Sequence, residues 1–330
     1  MSEKQFKDYF NYIDKDRVHV YHNNHYVICD KKGGTCTLPS YMTGSWYDNK
    51  FIEVEFNSGT VMFMNQYSIT RSGSTTNLTC HIRSGNKYVM RTSDTIFATI
   101  SGLAGNYYYF LCMEVTKITD YSFYHYMQSD EDTNGERTSA MIDSDDVISI
   151  SDICTTTTAA ELFQIMVRAG FENDALQLCS EPFLGNFSFI LYDTLNTEST
   201  GNLNSCSGSK TTINMTYSTG VSNTLKVGFS DGGYIGCMAN IKSGSQYYTS
   251  WYNFDSSTTL TVNPRFTCLI VKHDGTGVSA SQRVRMCHEG QESTSKPSDT
   301  TSLYPSSLLT SGGLLTLTPY GNMIKNKRIE

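Results

Sequence analysis

Residues 80–88 read Cys80-His81-Ile82-Arg83-Ser84-Gly85-Asn86-Lys87-Tyr88. Residues 237–247 read Cys237-Met238-Ala239-Asn240-Ile241-Lys242-Ser243-Gly244-Ser245-Gln246-Tyr247. They share the string I-[RK]-S-G-x-x-Y. The likeness continues on both sides. Downstream lie Phe110-Leu111-Cys112 and Phe266-Thr267-Cys268, 32 and 31 positions after the first cysteines. Upstream, Cys36-x2-Pro39 leads to Gly44-Ser45-Trp46, and Cys179-x2-Pro182 leads to Gly185-Asn186-Phe187. Four landmarks in the same order imply two diverged copies of one domain.

The strands can be read within each copy. Phe51-Ile52-Glu53-Val54-Glu55-Phe56 alternates apolar and polar residues. Asn57-Ser58-Gly59 supplies a turn, and Thr60–Met64 continues as its partner. Leu225–Phe229, the turn Ser230-Asp231-Gly232-Gly233 and Tyr234–Ile241 repeat the arrangement. Six prolines in 330 residues leave most strand backbones free to pair. The expected fold is mainly β, with two related antiparallel β-barrel or sandwich domains and one connecting helix. That helix is expected from the capping box Thr158-Ala159-Ala160-Glu161, with Leu162, Ile165, Met166 and Ala169 on one face and Gly170 as its stop. The boundaries implied are an N-terminal segment 1–28, a first β domain 29–128, an acidic linker and helix 129–178, a second β domain 179–290, and a flexible C-terminal tail 291–330.

Composition narrows the function. Lys and Arg number 25 against 32 Asp and Glu, a net charge of −7, whereas a nucleic-acid binder carries a basic excess. No stretch has the roughly 18 consecutive apolar residues of a membrane span. The strings G-x-S-x-G, H-E-x-x-H and G-x-x-x-x-G-K-[ST] are absent from the chain, and Gly208-Ser209-Lys210-Thr211 lacks the spacing of a phosphate loop. Catalytic residues are not expected, and a hydrolase with a dispersed site is the weakest reading.

The ten cysteines, Cys29, Cys36, Cys80, Cys112, Cys154, Cys179, Cys206, Cys237, Cys268 and Cys287, are even in number and contain no C-x2-C pair. That is the arithmetic of a disulfide framework rather than a zinc site. Cys36, Cys80 and Cys112 match Cys179, Cys237 and Cys268, while Cys29 and Cys154 each precede a copy. Cys206 and Cys287 are left over and are expected to pair. Four cysteines per copy allow three connectivities, and the one that applies should recur in the other copy. The sequons at Asn77, Asn186 and Asn214 agree with an exported glycoprotein. The first residues, MSEKQFKDYFNYIDKDRVHV, contain no apolar signal-peptide core. The expectation is therefore an extracellular or cell-surface protein whose leader is missing from this chain.

Gly44-x-Trp46-Tyr47 and Thr119-Asp120-Tyr121 resemble two signature elements of lipocalins. The resemblance implies a barrel closed at its base by Trp46, which either caps a filled core or lies beneath a pocket for a small apolar ligand. Asp130, Asp132, Asn134 and Glu136 match the front half of a calcium loop, though Met141 stands where the closing acid belongs. A solvated acidic loop is the competing reading; apart from this weak Ca2+ candidate no cofactor is expected. His19, His22 and His25 are spaced by three and read as a solvated terminal segment with adventitious metal affinity at most.

The run Gly34-Thr35-Cys36-Thr37-Leu38-Pro39-Ser40-Tyr41 through Lys117-Ile118-Thr119-Asp120 is similar to the N-terminal module of uncharacterised invertebrate secreted or cell-surface proteins. Ala160–Phe189 is similar to the modules that follow in those proteins. The resemblance implies tandem cysteine-containing domains, export and often a membrane anchor, and it brings no activity. The function expected is non-enzymatic extracellular recognition or adhesion with a protein partner; the alternative is a lipocalin-like carrier of a small apolar ligand.

Overall fold

A computed structural model describes residues 17–22, 25–30, 36–50, 52–57, 61–64, 76–100, 102–131, 137–142, 149–193, 196–206, 209–218, 226–258, 264–297 and 312–320. Strands β1 (Arg17–His22) and β2 (His25–Asp30) form a separate hairpin. The first large sheet contains β3 (Gly44–Asp48), β4 (Ile52–Asn57), β5 (Val61–Met64), β6 (Thr76–Ser84), β7 (Lys87–Thr92), β8 (Ile96–Ile100), β9 (Leu103–Lys117), β10 (Ser122–Met127), β11 (Ser139–Ile142) and β12 (Gln164–Arg168). Its path runs β10-β12-β3-β4-β5-β6-β7-β9, and β9 also pairs with β10, so the curled sheet returns on itself. The second sheet is a closed antiparallel barrel of β13 (Asn186–Asp193), β14 (Glu198–Asn204), β15 (Thr212–Tyr217), β16 (Tyr234–Ser243), β17 (Gln246–Asn253), β18 (Phe266–His273), β19 (Val278–Val284) and β20 (Gly313–Pro319). The fold is mainly β, as the alternating strands require.

Strand alternation sorts the side chains. In β4, Val54 and Phe56 point inward while Glu53 and Glu55 are exposed. In β13, Phe187, Phe189 and Leu191 face the barrel core, and Asn186 and Ile190 face out. The two halves share local geometry. Each Cys-x2-Pro leads into a short 3-10 turn, Ser40–Met42 or Glu181–Phe183, and then into the first strand of its ring. The fourth strand of each ring has a register shift beside its cysteine, between Cys80 and Ile82 and between Cys237 and Ala239.

The bridges are Cys36–Cys80, Cys112–Cys154, Cys179–Cys237 and Cys268–Cys287. In both halves the upstream cysteine is tied to the fourth strand and the sixth strand to a downstream cysteine. This corrects the expected Cys206–Cys287 pair. Cys287 occupies the place that Cys154 has in the first half, and Cys206 is free and exposed. The side chain of Cys29 lies outside the described residues.

Three boundary expectations change. The segment expected as a connecting helix is a 3-10 turn, Ala160–Leu162, followed by β12. Ile165 and Val167 on one side and Gln164 and Met166 on the other are all buried, so a strand covered on both faces presents the continuous apolar run of a helix. Thr158 caps nothing; its hydroxyl donates to the Met127 carbonyl at 3.1 Å. Gly170, at φ +83°, turns the chain after a strand. The region 129–178 is therefore not a linker: β11, the one-turn helix α1 (Ile150–Ile153) and β12 belong to the first sheet or pack on it.

Nor is 291–330 a free tail throughout, because β20 pairs with both β13 and β19 and closes the barrel. Leu315 and Leu317 are fully buried in its core, and a Cβ at Gly313 would lie 2.6 Å from Leu191. Finally, Val227–Phe229 is a 3-10 turn rather than part of a strand. Gly228 there has φ +62°, and its N–H donates to the buried Gln282 side chain at 2.9 Å.

Candidate functional site

The interior of the first sheet is occupied by its own side chains. Trp46 is fully buried, and its indole N–H donates to the Met42 carbonyl at 2.7 Å. Its ring lies 4.9 Å from that of Phe123, which also meets Phe56 and Tyr41 edge-on. Met90, Leu111, Met113 and Met166 complete the packing around them. Arg168 covers this end: its guanidinium donates to the Thr43 carbonyl at 2.6 Å and lies 5.7 Å from the Trp46 ring. Gly44 beside it has φ +119°, and a Cβ there would meet the guanidinium at 3.1 Å. Trp46 is thus a core residue under an arginine. The second barrel is filled in the same manner by Phe183, Phe189, Trp251, Leu269 and Leu315.

Next to the Trp46–Phe123 packing sits a polar group that sequence reading missed. Asp48 on β3, His125 on β10 and Gln164 on β12 are all buried. The Asp48 carboxylate accepts the Lys50 backbone N–H at 2.6 Å, and its other oxygen lies 4.0 Å from His125 Nε2. Burial lowers the His125 pKa to about 3, opposed in part by the Gln164 amide. The imidazole is therefore neutral at pH 7. All three side chains lie below the surface.

The two halves are joined by an apolar seam. Phe163, just before β12, and Ile165 and Val167 on the outer side of β12 pack with Met238, Tyr252, Phe266 and Ile270 of the second barrel. The Arg265 guanidinium stands 3.6 Å over the Tyr47 ring, and the Asn49 amide donates to the Arg285 carbonyl at 3.4 Å. Burial raises the pKa of both Tyr126 and Tyr252 at this seam.

The sequon asparagines Asn77, Asn186 and Asn214 are all exposed. Asn186 pairs with Asn204, and Asn204 with Asn214, so two sequons lie in one cross-strand row on the outer wall of the second barrel. Thr119-Asp120-Tyr121 forms the turn between β9 and β10. The Thr119 hydroxyl accepts the Tyr121 N–H at 3.0 Å, and Asp120 pairs with Lys117 at 2.5 Å. In the calcium candidate, the Asp130 carboxylate accepts the Thr155 hydroxyl at 2.8 Å, whereas Asp132, Asn134 and Glu136 lie outside the described residues. Among the described residues no three His, Cys, Asp or Glu side chains are grouped to hold a metal. His22 and His25 face each other in the β1–β2 register, and their side chains lie outside the described residues. Among the described residues no helix is long and apolar enough to cross a membrane.

Comparison of the chain with protein families, curated proteins and solved structures finds no match.

Proposed function

We propose that this chain is a non-enzymatic recognition or adhesion protein of the extracellular space or cell surface, and that its two halves are diverged copies of one disulfide-locked β module. The observation that carries the reading is the pair of identically placed bridges in each half, Cys36–Cys80 with Cys112–Cys154 and Cys179–Cys237 with Cys268–Cys287. Such bridges form and persist in oxidising compartments. The three exposed sequons suit the same route. The corresponding 3-10 turns, register shifts and strand orders support the duplication.

The filled interiors favour recognition by outer surfaces over carriage of an apolar ligand. A carrier needs a cavity of several hundred cubic ångströms, and the space around Trp46 holds Phe123, Phe56 and the methionines instead. The apolar seam fixes the two modules as one body, which presents its outer walls in a set geometry.

The test is export followed by binding. The chain is expressed behind a supplied leader in eukaryotic cells, labelled, and applied to a panel of cell lines and matrix proteins. Saturable binding that survives digestion of its N-glycans and is lost on reduction supports the reading. Retention of the chain inside the producing cell, or secreted folded protein that binds no surface and takes up an apolar dye stoichiometrically, overturns it.

A further inference from the structure

The cross-strand row that holds two of the sequons ends in an exposed aromatic ring on either side. Across the outer wall of the second barrel it runs Tyr320, Asn186, Asn204, Asn214, Tyr234. Tyr320 stands just past β20, and its N–H donates to the Asn186 carbonyl at 2.9 Å. The pair before it, Phe187 opposite Pro319, makes it the direct neighbour of Asn186. Asn214 is paired with Tyr234 in the same way. Both asparagines are exposed, Tyr320 is 59 % exposed and Tyr234 40 %. Neither this row nor the next, Thr318-Ser188-Asn202-Thr216, carries a charge. In the first half, the third sequon asparagine, Asn77, is also paired with an aromatic residue, Phe63, whose side chain lies outside the described residues.

We infer that the first sugars of N-glycans on Asn186 and Asn214 rest on the Tyr320 and Tyr234 rings, so that this wall of the second barrel is a sugar-clad face. The Tyr320 hydroxyl donates to the side-chain oxygen of Asn202. Asn202 lies on β14, two strands away from β20, so the Tyr320 ring crosses β13 beside Asn186. Tyr234 is held by Phe254, whose ring lies 5.5 Å from its own. Directly opposed side chains on one face of a sheet start about 4.5–5.5 Å apart at Cβ. A sugar joined to the asparagine amide nitrogen therefore begins within reach of the ring. Its C–H face is apolar and slightly positive, and the face of an aromatic ring is negative. Its hydroxyls meet neutral Ser, Thr and Asn side chains rather than charges. Because the sugar is tethered, the contact forms without the entropy loss of a free saccharide.

The inference rests on the export and glycosylation read above and deepens that reading, because it gives two glycans a seat and a consequence. The Asn186 contact bridges β13 and the end of β20, the strand that closes the barrel. A glycan there should hold the barrel shut more firmly. It also covers this wall, so recognition of a protein partner falls to the others.

The test uses the full chain secreted from eukaryotic cells behind a supplied leader, with each site mapped by glycopeptide analysis. Ser188→Ala deletes the Asn186 sequon. In urea melts it should raise the unfolding equilibrium constant of the parent and of Tyr320→Phe about three- to tenfold more than that of Tyr320→Ala, the size of one aromatic contact. The Ser188 hydrogen bond to the Thr318 carbonyl cancels in this comparison. Trimming every glycan to a single N-acetylglucosamine should leave the difference in place. In proton NMR of the trimmed protein, the Asn186 sugar should be shifted upfield by the Tyr320 ring and the Asn214 sugar by the Tyr234 ring. Tyr320→Ala and Tyr234→Ala should each abolish the shift at its own site alone. The shifts in the parent decide the matter even where an alanine variant fails to fold. An equal effect of Ser188→Ala with and without the ring, or sugar protons at their free positions in the parent, overturns the inference. So does a secreted product with glycan on Asn77 while Asn186 and Asn214 stay bare, or perturbation of either ring by free chitobiose in the glycosylated protein, the mark of an open saccharide site. Retention of the chain in the cell with its thiols free defeats the functional reading itself, and this inference with it.

Discussion

His125 and Asp48 face each other at 4.0 Å inside the first barrel, each with a fully buried side chain. Burial holds the imidazole neutral, with its pKa lowered to about 3. In the unfolded chain the same group titrates near 6.5. Between these values the unfolded state binds a proton that the native state does not, so stability falls as pH drops from about 6.5 toward 3, by about 1.4 kcal/mol per unit from this group alone. Above pH 6.5 the term is absent. Urea melts at pH 7 and pH 5 should differ by about 2 kcal/mol more in the native protein than in His125→Gln. Equal differences would remove the buried neutral histidine from the account.

Trp46 is packed on all sides and covered by Arg168. Replacing it with Ala should cost about 3–5 kcal/mol through the cavity left behind. Arg168→Ala should cost less, about 1–2 kcal/mol, because it removes one hydrogen bond and a cation–π contact. Chemical melts of the two variants give both numbers. A Trp46→Ala protein as stable as the parent would indicate a loosely filled interior.

The seam between the halves rests on β12 and on Arg265 over Tyr47. Val167→Asp puts an unpaired charge into that apolar layer, a change worth several kcal/mol. It should split the single unfolding transition into two or abolish folding. Arg265→Ala should preserve one transition and shift it by about 1 kcal/mol. Calorimetry distinguishes these outcomes.

Chain ending at residue 311 lacks β20. The barrel then loses Leu315 and Leu317 and exposes the edges of β13 and β19. Each buried leucine is worth about 2–5 kcal/mol, which together match the margin of a typical domain. Limited proteolysis should degrade the second half of this truncated protein first, while the full chain resists. Equal resistance would mean that the barrel closes without β20.

Much of this architecture is legible in the residues, and the failures have physical causes. The alternation in Ile52–Phe56 marks a strand, because one face of it is wet. Strand β12 is misread because both its faces are dry. Gln164 and Met166 enter the barrel while Ile165 and Val167 enter the seam, so the one polar residue among them is as buried as its neighbours and no wet face reveals period two. Strand β20 is obscured by the polar Ser- and Thr-rich run before it, and Leu315 and Leu317 gain meaning only when β13 and β19 stand beside them. The cysteine landmarks reveal the two halves. However, position along the chain places Cys154 before the second half, whereas the fold uses it to close the first. The Asp48–His125–Gln164 cluster joins three strands far apart in sequence, and no local motif announces it.

The most direct measurement is non-reducing peptide mapping, with glycopeptide analysis, of protein secreted from eukaryotic cells behind a supplied leader. The account predicts linked peptides for Cys36–Cys80, Cys112–Cys154, Cys179–Cys237 and Cys268–Cys287, with glycan on the exposed sequons. A folded product with these eight cysteines reduced and Asn77, Asn186 and Asn214 bare would contradict it.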